Sequence, residues 1–315
     1  MQLEDELKQW GPEALGKGGE SPTLEFSQQY CRRLARSHYE NFVVVGVFTP
    51  PRLRIAFEAV YGFCRWADDL GDETGSPEKS GQLLGWWQQQ LEEVYRPGAP
   101  EPRHPVYVAL KPVINQFQLP IKPFSDLISA FMQDQWKTRF TDHAELLDYC
   151  TRSANPVGEL VLRLFDEASE KNLVMSNDIC TGLQLANFWQ DVSRDLVKGR
   201  IYIPQKSMEK HGVTERDLAR VPATEAFRQM LAEEVEKTRD LFESGRGLPE
   251  KLHGRVGLAL RLFHAGGVAT LDAIEKSGFD VLTWRPRVGK MTQLMLMARI
   301  LAGSLLPGAS SRTRR

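Results

Sequence analysis

Apolar residues recur at three- and four-residue intervals along almost the whole chain, the spacing of one buried helix face. "TLEFSQQYCRRLARS" places Leu24, Phe26, Tyr30, Cys31 and Leu34 close to one side. After a "TPP" break, "RLRIAFEAVYGFCRWADDLGDE" carries a stripe at Leu53, Phe57, Val60, Tyr61, Cys64 and Ala67 over about six turns. "SGQLLGWWQQQLEEVYRPG", "HPVYVALKPVINQFQL", "PFSDLISAFMQDQW", "DHAELLDYCTRS" and "PVGELVLRLF" suit shorter helices punctuated by Pro or Gly. "NDICTGLQLANFWQDVSRDLVKG" reads as a second long helix, with Asn177 as its N-cap and Gly199 closing it. A short extended piece, "RIYIP", follows, and further helical segments end in "VGKMTQLMLMARILAGSLL". No sustained period-2 strand, repeat or linker interrupts the pattern. It predicts one all-α domain over residues 23–306, built of roughly ten helices. Residues 1–22, polar and Gly-containing, are expected to form a flexible extension, and 307–315 a flexible basic tail.

Two of these helices carry carboxylates in ladders. In "RWADDLGDET", Asp68, Asp69, Asp72 and Glu73 crowd the end of an apolar helix, where like charges repel and acids oppose the helix dipole. Asp68 and Asp72 share a face, and such a pair costs only roughly 0.2–0.5 kcal/mol, which a solvated helix end tolerates. "NFWQDVSRD" changes the balance. Asn187, Asp191 and Asp195 follow at successive four-residue steps, with Gln184 nearly in line and apolar Leu183, Leu185 and Phe188 around them. Two such ladders facing one another across a cavity suit Mg²⁺, which takes one or two carboxylates and completes its shell with water and phosphate. Ladders without His or Cys argue against zinc. An EF-hand fails on spacing, since its twelfth position falls on Lys79 or Tyr202.

Composition narrows the partners. The net charge of −1 over 315 residues leaves no electrostatic case for nucleic acid. Cys31, Cys64, Cys150 and Cys180 form no zinc pattern and read as reduced thiols of a cytoplasmic protein. No basic-then-apolar leader opens the chain, and the C-terminal Met/Leu-rich stretch is too short to span a bilayer.

Together, "FCRWADDLGDE" and "LQLANFWQDVSRDLVKGRIYIP" resemble the paired aspartate-rich motifs of the squalene/phytoene synthase family, the head-to-head prenyl-diphosphate synthases. The resemblance covers about residues 23–300. It implies an isoprenoid-synthase-type helical bundle around a central apolar cavity. It also implies Mg²⁺ held by Asp68 and Asp72 from one wall and by Asn187, Asp191 and Asp195 from the other. Arg65, Arg200 and Tyr202 match diphosphate-contacting positions, and Tyr61 and Gln184 match cavity positions. Phe42, Tyr61, Phe188 and Trp189 are candidates to face a carbocation, although plain core packing competes for each.

The chain also departs from the family. Condensing members carry a Ser- and Lys-containing stretch between a His and a Phe, where this chain has "HYENF", with Tyr39, Glu40 and Asn41 between His38 and Phe42. Gln190 stands where some relatives have Arg, and a Gly pair in "HAGGVAT" falls about where they carry Tyr. With "RPRV", this form most resembles the bacterial hydroxysqualene synthases of the hopanoid route. The implied reaction is ionisation of presqualene diphosphate with capture by water, Glu40 with Tyr39 and Asn41 directing that water. The bland alternative pairs Glu40 with Arg36 or Arg52. The implied neighbours are a presqualene diphosphate synthase and a flavin desaturase or reductase, with peripheral contact at the inner membrane following from the long hydrocarbons. The competing expectations are condensation of two prenyl diphosphates, or a non-catalytic assembly factor that keeps the same helical shell.

Overall fold

Side-chain caps set where several helices begin. Ser76, His104, Asp142, Ser169 and Thr224 each accept the backbone N–H of a residue two or three positions on, satisfying donors that the first turn leaves unpaired. The computed structural model describes residues 3–37 and 49–305, and among them fifteen α-helices and no strand. The first are α1 (Leu3–Trp10), α2 (Pro12–Gly16), α3 (Leu24–Ser37), α4 (Arg54–Asp72) and α5 (Pro77–Tyr95). Next come α6 (Pro105–Phe117), α7 (Ile121–Gln133), α8 (His143–Ser153), α9 (Asn155–Leu164) and α10 (Glu170–Val197). α11 (Gln205–Lys210), α12 (Glu225–Gly245), α13 (Gly247–Lys251), α14 (Gly254–Lys276) and α15 (Lys290–Leu305) complete the fold.

The sequence places the start of α10 too late. The helix opens at Ser169, about two turns before Asn177, because the Ser169 hydroxyl caps it and the Asn172 amide bonds the Glu167 carbonyl at 2.8 Å. Its other end lies where the sequence puts it. Gly199 takes φ +75°, a left-handed conformation that favours glycine. That reversal lays "RIYIP" beside residues 138–141, where the Ile201 N–H donates to the Thr138 carbonyl at 2.9 Å.

The flexible extension expected at 1–22 is corrected over residues 3–16, which form α1 and α2. Leu3 and Glu6 are buried, Glu6 accepts from the Tyr30 hydroxyl at 2.5 Å, and Trp66 Nε1 donates to the Tyr30 oxygen at 2.9 Å. A hydrogen bond to a charged group contributes about 1.5–3 kcal/mol, enough to pin a helix too short to persist alone. The tail expected at 307–315 lies outside the described residues.

Two apolar clusters form the interior. One holds α4 through Phe57, Phe63, Trp66 and Leu70, packed with Trp87 of α5 and Tyr107 of α6. The other holds α10 through Leu185, Phe188 and Trp189, packed with Leu231 and Phe242 of α12 and Leu271 of α14. α9 joins them, with Leu160 and Leu164 in the first cluster and Leu162 in the second. The two acidic ladders therefore ride on opposite halves of the core and meet at its seam. Trp189 takes no part there, since it is fully buried and donates to the Thr238 hydroxyl at 2.8 Å.

Close approach of α10, α12 and α14 depends on glycine. A Cβ on Gly267 would lie 2.3 Å from Phe242 Cζ, whereas one on Gly266 would meet nothing within 4 Å. Gly267→Ala is expected to lower unfolding stability by about 1–3 kcal/mol through overpacking. Gly266→Ala is expected to raise it by about 0.5–1 kcal/mol through helix propensity. Urea denaturation of the two variants checks both signs.

Candidate active site

The crowding of acids at the end of α4 is relieved by one arginine. Arg65 pairs with Asp69, lies 3.4 Å from Asp68 and reaches Glu73 at 3.1 Å, all on its own helix. Asp69 and Glu73 are thereby engaged along the helix. Asp72, at the last turn, points the other way. Its carboxylate accepts from Lys198 Nζ and from Arg200 at 3.1 Å each, closing the seam to the far end of α10. Burial raises the Asp72 pKa, but Arg200 and Lys198 outweigh it and the net shift is downward.

Behind this pair lies a half-buried polar layer. Asp134, just past α7, accepts from the Tyr149 hydroxyl at 2.8 Å, and burial pushes its carboxyl up to about 6 despite that bond and the pull of Arg200. Burial, reinforced by Asp191, likewise pushes Asp195 up to about 6, against Lys198 and Arg200. Burial disfavours the charge of Arg200, but Tyr202, Asp72 and Asp134 more than compensate and keep it cationic. Tyr202 stacks on Phe188 with ring centroids 3.7 Å apart, so an apolar wall backs the charged rim.

One turn back along the same face of α10, Asp191 is clasped by Arg285, with two parallel bonds of 2.5 and 2.8 Å. The next residue, Pro286, offers its carbonyl to the Gln190 amide at 2.6 Å. Asn187 is exposed and lines a cavity of about 260 Å³ with Leu183, Ala186 and Gln190 against α14. A second cavity, about 230 Å³, opens beside Asp72 and is lined by Gly71, Gln135, Lys198 and Arg200.

The Squalene/phytoene synthase family matches residues 35–292. The chain belongs to that family. Among solved structures it is similar to the squalene synthase HpnC from Alicyclobacillus acidocaldarius, at 40% identity and TM-score 0.76, covering 82% of this chain and 96% of that one. A dehydrosqualene synthase shares the fold at 23% identity and TM-score 0.78, covering 89% and 97% of the two chains. The phytoene synthase of Arthrospira platensis is 29% identical over 302 residues, 89% of this chain and 96% of its own. Family members join prenyl diphosphates head to head, so the chain is an enzyme of isoprenoid biosynthesis built on the helical fold of those synthases.

Within that family frame the structure brings together Asp68, Asp72, Asp195, Arg200, Tyr202 and Phe188. It sets Asp191 against Arg285, Asn187 at the neighbouring cavity, and Arg65 along its own helix. Tyr61 and Gln184 are half-buried on their respective ladders. Tyr39, Glu40, Asn41 and Phe42 lie outside the described residues. Asp134, Tyr149, Lys198 and Arg285 were not among the residues the motifs singled out. Arg285 stands in the "RPRV" string and Lys198 inside the second aspartate-rich motif, whereas Asp134 stands in a stretch that reads simply as helix.

The donor set fits a hard divalent ion. Among the described residues no three His, Cys, Asp or Glu side chains converge into a ready cluster. The oxygen-only ladders, with unmet negative charge at Asp195, suit an ion that takes one or two carboxylates per wall and phosphate oxygens for the rest. Because the folded Asp195 carboxyl titrates above its ordinary 3.8, its ionisation destabilises the fold; that penalty is absent below 3.8 and grows as pH rises through about 6. Asp195→Asn is therefore expected to melt higher than wild type at about pH 7.5 without divalent metal, the gap closing at about pH 4. Thermal melts at the two pH values check it.

Proposed function

We propose that the enzyme ionises presqualene diphosphate and lets water capture the rearranged cation, releasing hydroxysqualene and diphosphate. The observation that carries this reading is the convergence of Lys198 and Arg200 on one carboxylate, Asp72. The two cations form one lobe at the end of the seam, able to receive a diphosphate. Gln190, where some relatives have Arg, is neutral and engaged by the Pro286 carbonyl, and "HYENF" puts Glu40 where a second diphosphate would need a cation. The 40% identity to the squalene synthase HpnC is consistent with this reading.

In this mechanism Lys198 and Arg200 transfer from Asp72 to the diphosphate oxygens as the carbon–oxygen bond breaks. Both electrons of that bond leave with the diphosphate. Asp68 and Asp72 on one wall, and Asn187, Asp191 and Asp195 on the other, would hold Mg²⁺, which supplies charge to neutralise the leaving group when bound. The stacked Phe188 and Tyr202 rings exclude water near Arg200, where fixed donors act most strongly. Aromatic faces contribute roughly 0.5–2 kcal/mol each to a nearby cation. The cyclopropane ring opens, the water oxygen bonds to the resulting allylic carbon, and Glu40 takes the proton that water loses. A presqualene diphosphate synthase upstream and a flavin-dependent reductase downstream complete the sequence of reactions.

Incubation with Mg²⁺ and presqualene diphosphate is expected to yield hydroxysqualene and diphosphate, while farnesyl diphosphate with or without NADPH stays unconsumed. Turnover of farnesyl diphosphate alone would place the enzyme in the condensing branch instead. Arg200→Ala is expected to lower kcat by about 10²–10³-fold, the loss typical of one charge-stabilising donor. Glu40→Gln with undiminished hydroxysqualene output would remove the water-directing role.

A further inference from the structure

Two cavities lie end to end along one face of α14. The first is a cavity of about 260 Å³ in which Asn187 and Gln190 of α10 face Phe263, Gly266 and Thr270. The second, only about 20 Å³, is a narrow space between Phe57, Val161 and Phe165 on one side and Val256, Leu260 and Phe263 on the other. Val256, Leu260 and Phe263 continue the same helical stripe as Phe263, Gly266 and Thr270. Each cavity therefore spans about two turns of α14, roughly 10 Å of helix rise. Phe263 is the one residue lining both of these cavities.

Their chemistry is graded. The first cavity opens beside the acidic ladder, at Asn187, and Gly266 leaves it wide, with nothing within 4 Å of a Cβ there. The second is walled by carbon apart from Thr49. An amphiphile with a charged head and a long hydrocarbon tail fits this gradient in one direction only, head at Asn187 and tail toward Phe57. The tail meets the Phe263 ring at the point where one space gives way to the next. Phe263 is half-buried, so its ring stands between the cavities and is not locked inside the core.

We propose that Phe263 is the specificity-determining residue for prenyl chain length. It closes the larger cavity at its apolar end and so limits how far a hydrocarbon tail runs from the diphosphate end. The proposal rests on the prenyl-diphosphate reading of the site. It adds a length preference set by a single side chain.

Binding of uncleavable S-thiolodiphosphate analogues of farnesyl and geranylgeranyl diphosphate, measured calorimetrically with Mg²⁺, tests this directly. Wild-type protein is expected to favour the farnesyl analogue. Phe263→Ala is expected to shift the ratio of the two Kd values toward the longer chain by about tenfold or more, the discrimination that a few methylenes confer. Phe263→Leu, which removes less volume and keeps the fold if the alanine variant does not, is expected to shift it part of the way. Tight binding of both analogues with an unchanged ratio in Phe263→Ala, or in Phe263→Leu where the alanine variant fails to fold, would overturn the partition and leave the functional reading intact. Wild-type protein that binds neither analogue would overturn the partition, while the functional reading stands or falls separately on diphosphate release from presqualene diphosphate.

Discussion

Negative charge brought to the seam between two apolar clusters must be neutralised, and the rest of the site depends on how this is done. Asp72 ends one half of the core, and Lys198 and Arg200 leave the other. The turn at Gly199, with its φ of +75°, brings Arg200 back across the gap beside Lys198, which caps the end of α10. The Ile201–Thr138 bond then holds the turn against residues 138–141. Loss of the left-handed turn would separate the walls without touching either carboxylate ladder.

The ladders were legible in the sequence because they are local. Four-residue spacing fixes which carboxylates share a helix face, and helix geometry converts that into position with no tertiary information. The roughly ten helices expected from periodicity and breakers also follow from local rules, and the structure is helical throughout its described elements. The neutralising partners were not legible. Arg285 reaches Asp191 across 94 positions, and Lys198 reaches Asp72 across 126, distances over which no periodicity carries information. α1 escaped for a related reason: Leu3, Leu7 and Trp10 form a stripe too short to stand out, and what fixes it is Tyr30, 24 residues beyond Glu6. Asn177 misled because a good capping residue is tolerated inside a helix that Ser169 has already started.

Exposure separates the ion pairs that can be exchanged from those that are structural. Lys198 retains 59% of its side-chain exposure and Asp72 retains 34%, so their contact falls in the range of about 0–1 kcal/mol found for solvated pairs. Arg285 and Asp191 differ, with 26% and 12% exposure and a bidentate geometry that makes each bond stronger. An incoming diphosphate therefore displaces Lys198 from Asp72 at little cost, and Arg200, less exposed at 17%, at a greater one, freeing that carboxylate to bind a cation as the two side chains turn to phosphate. The same anion has far less leverage on Arg285, so the "RPRV" segment stays tied to α10 through Asp191 and Gln190 while the rim rearranges. Exchange of ion-pair partners is thus easiest at the end of the seam where Asp72 and Lys198 meet, while Arg285 keeps residues 285–288 fastened to α10 beside Asp191. A site that must release diphosphate while restraining a reactive carbocation gains from that division, since the charge-handling groups move and the hydrocarbon walls do not.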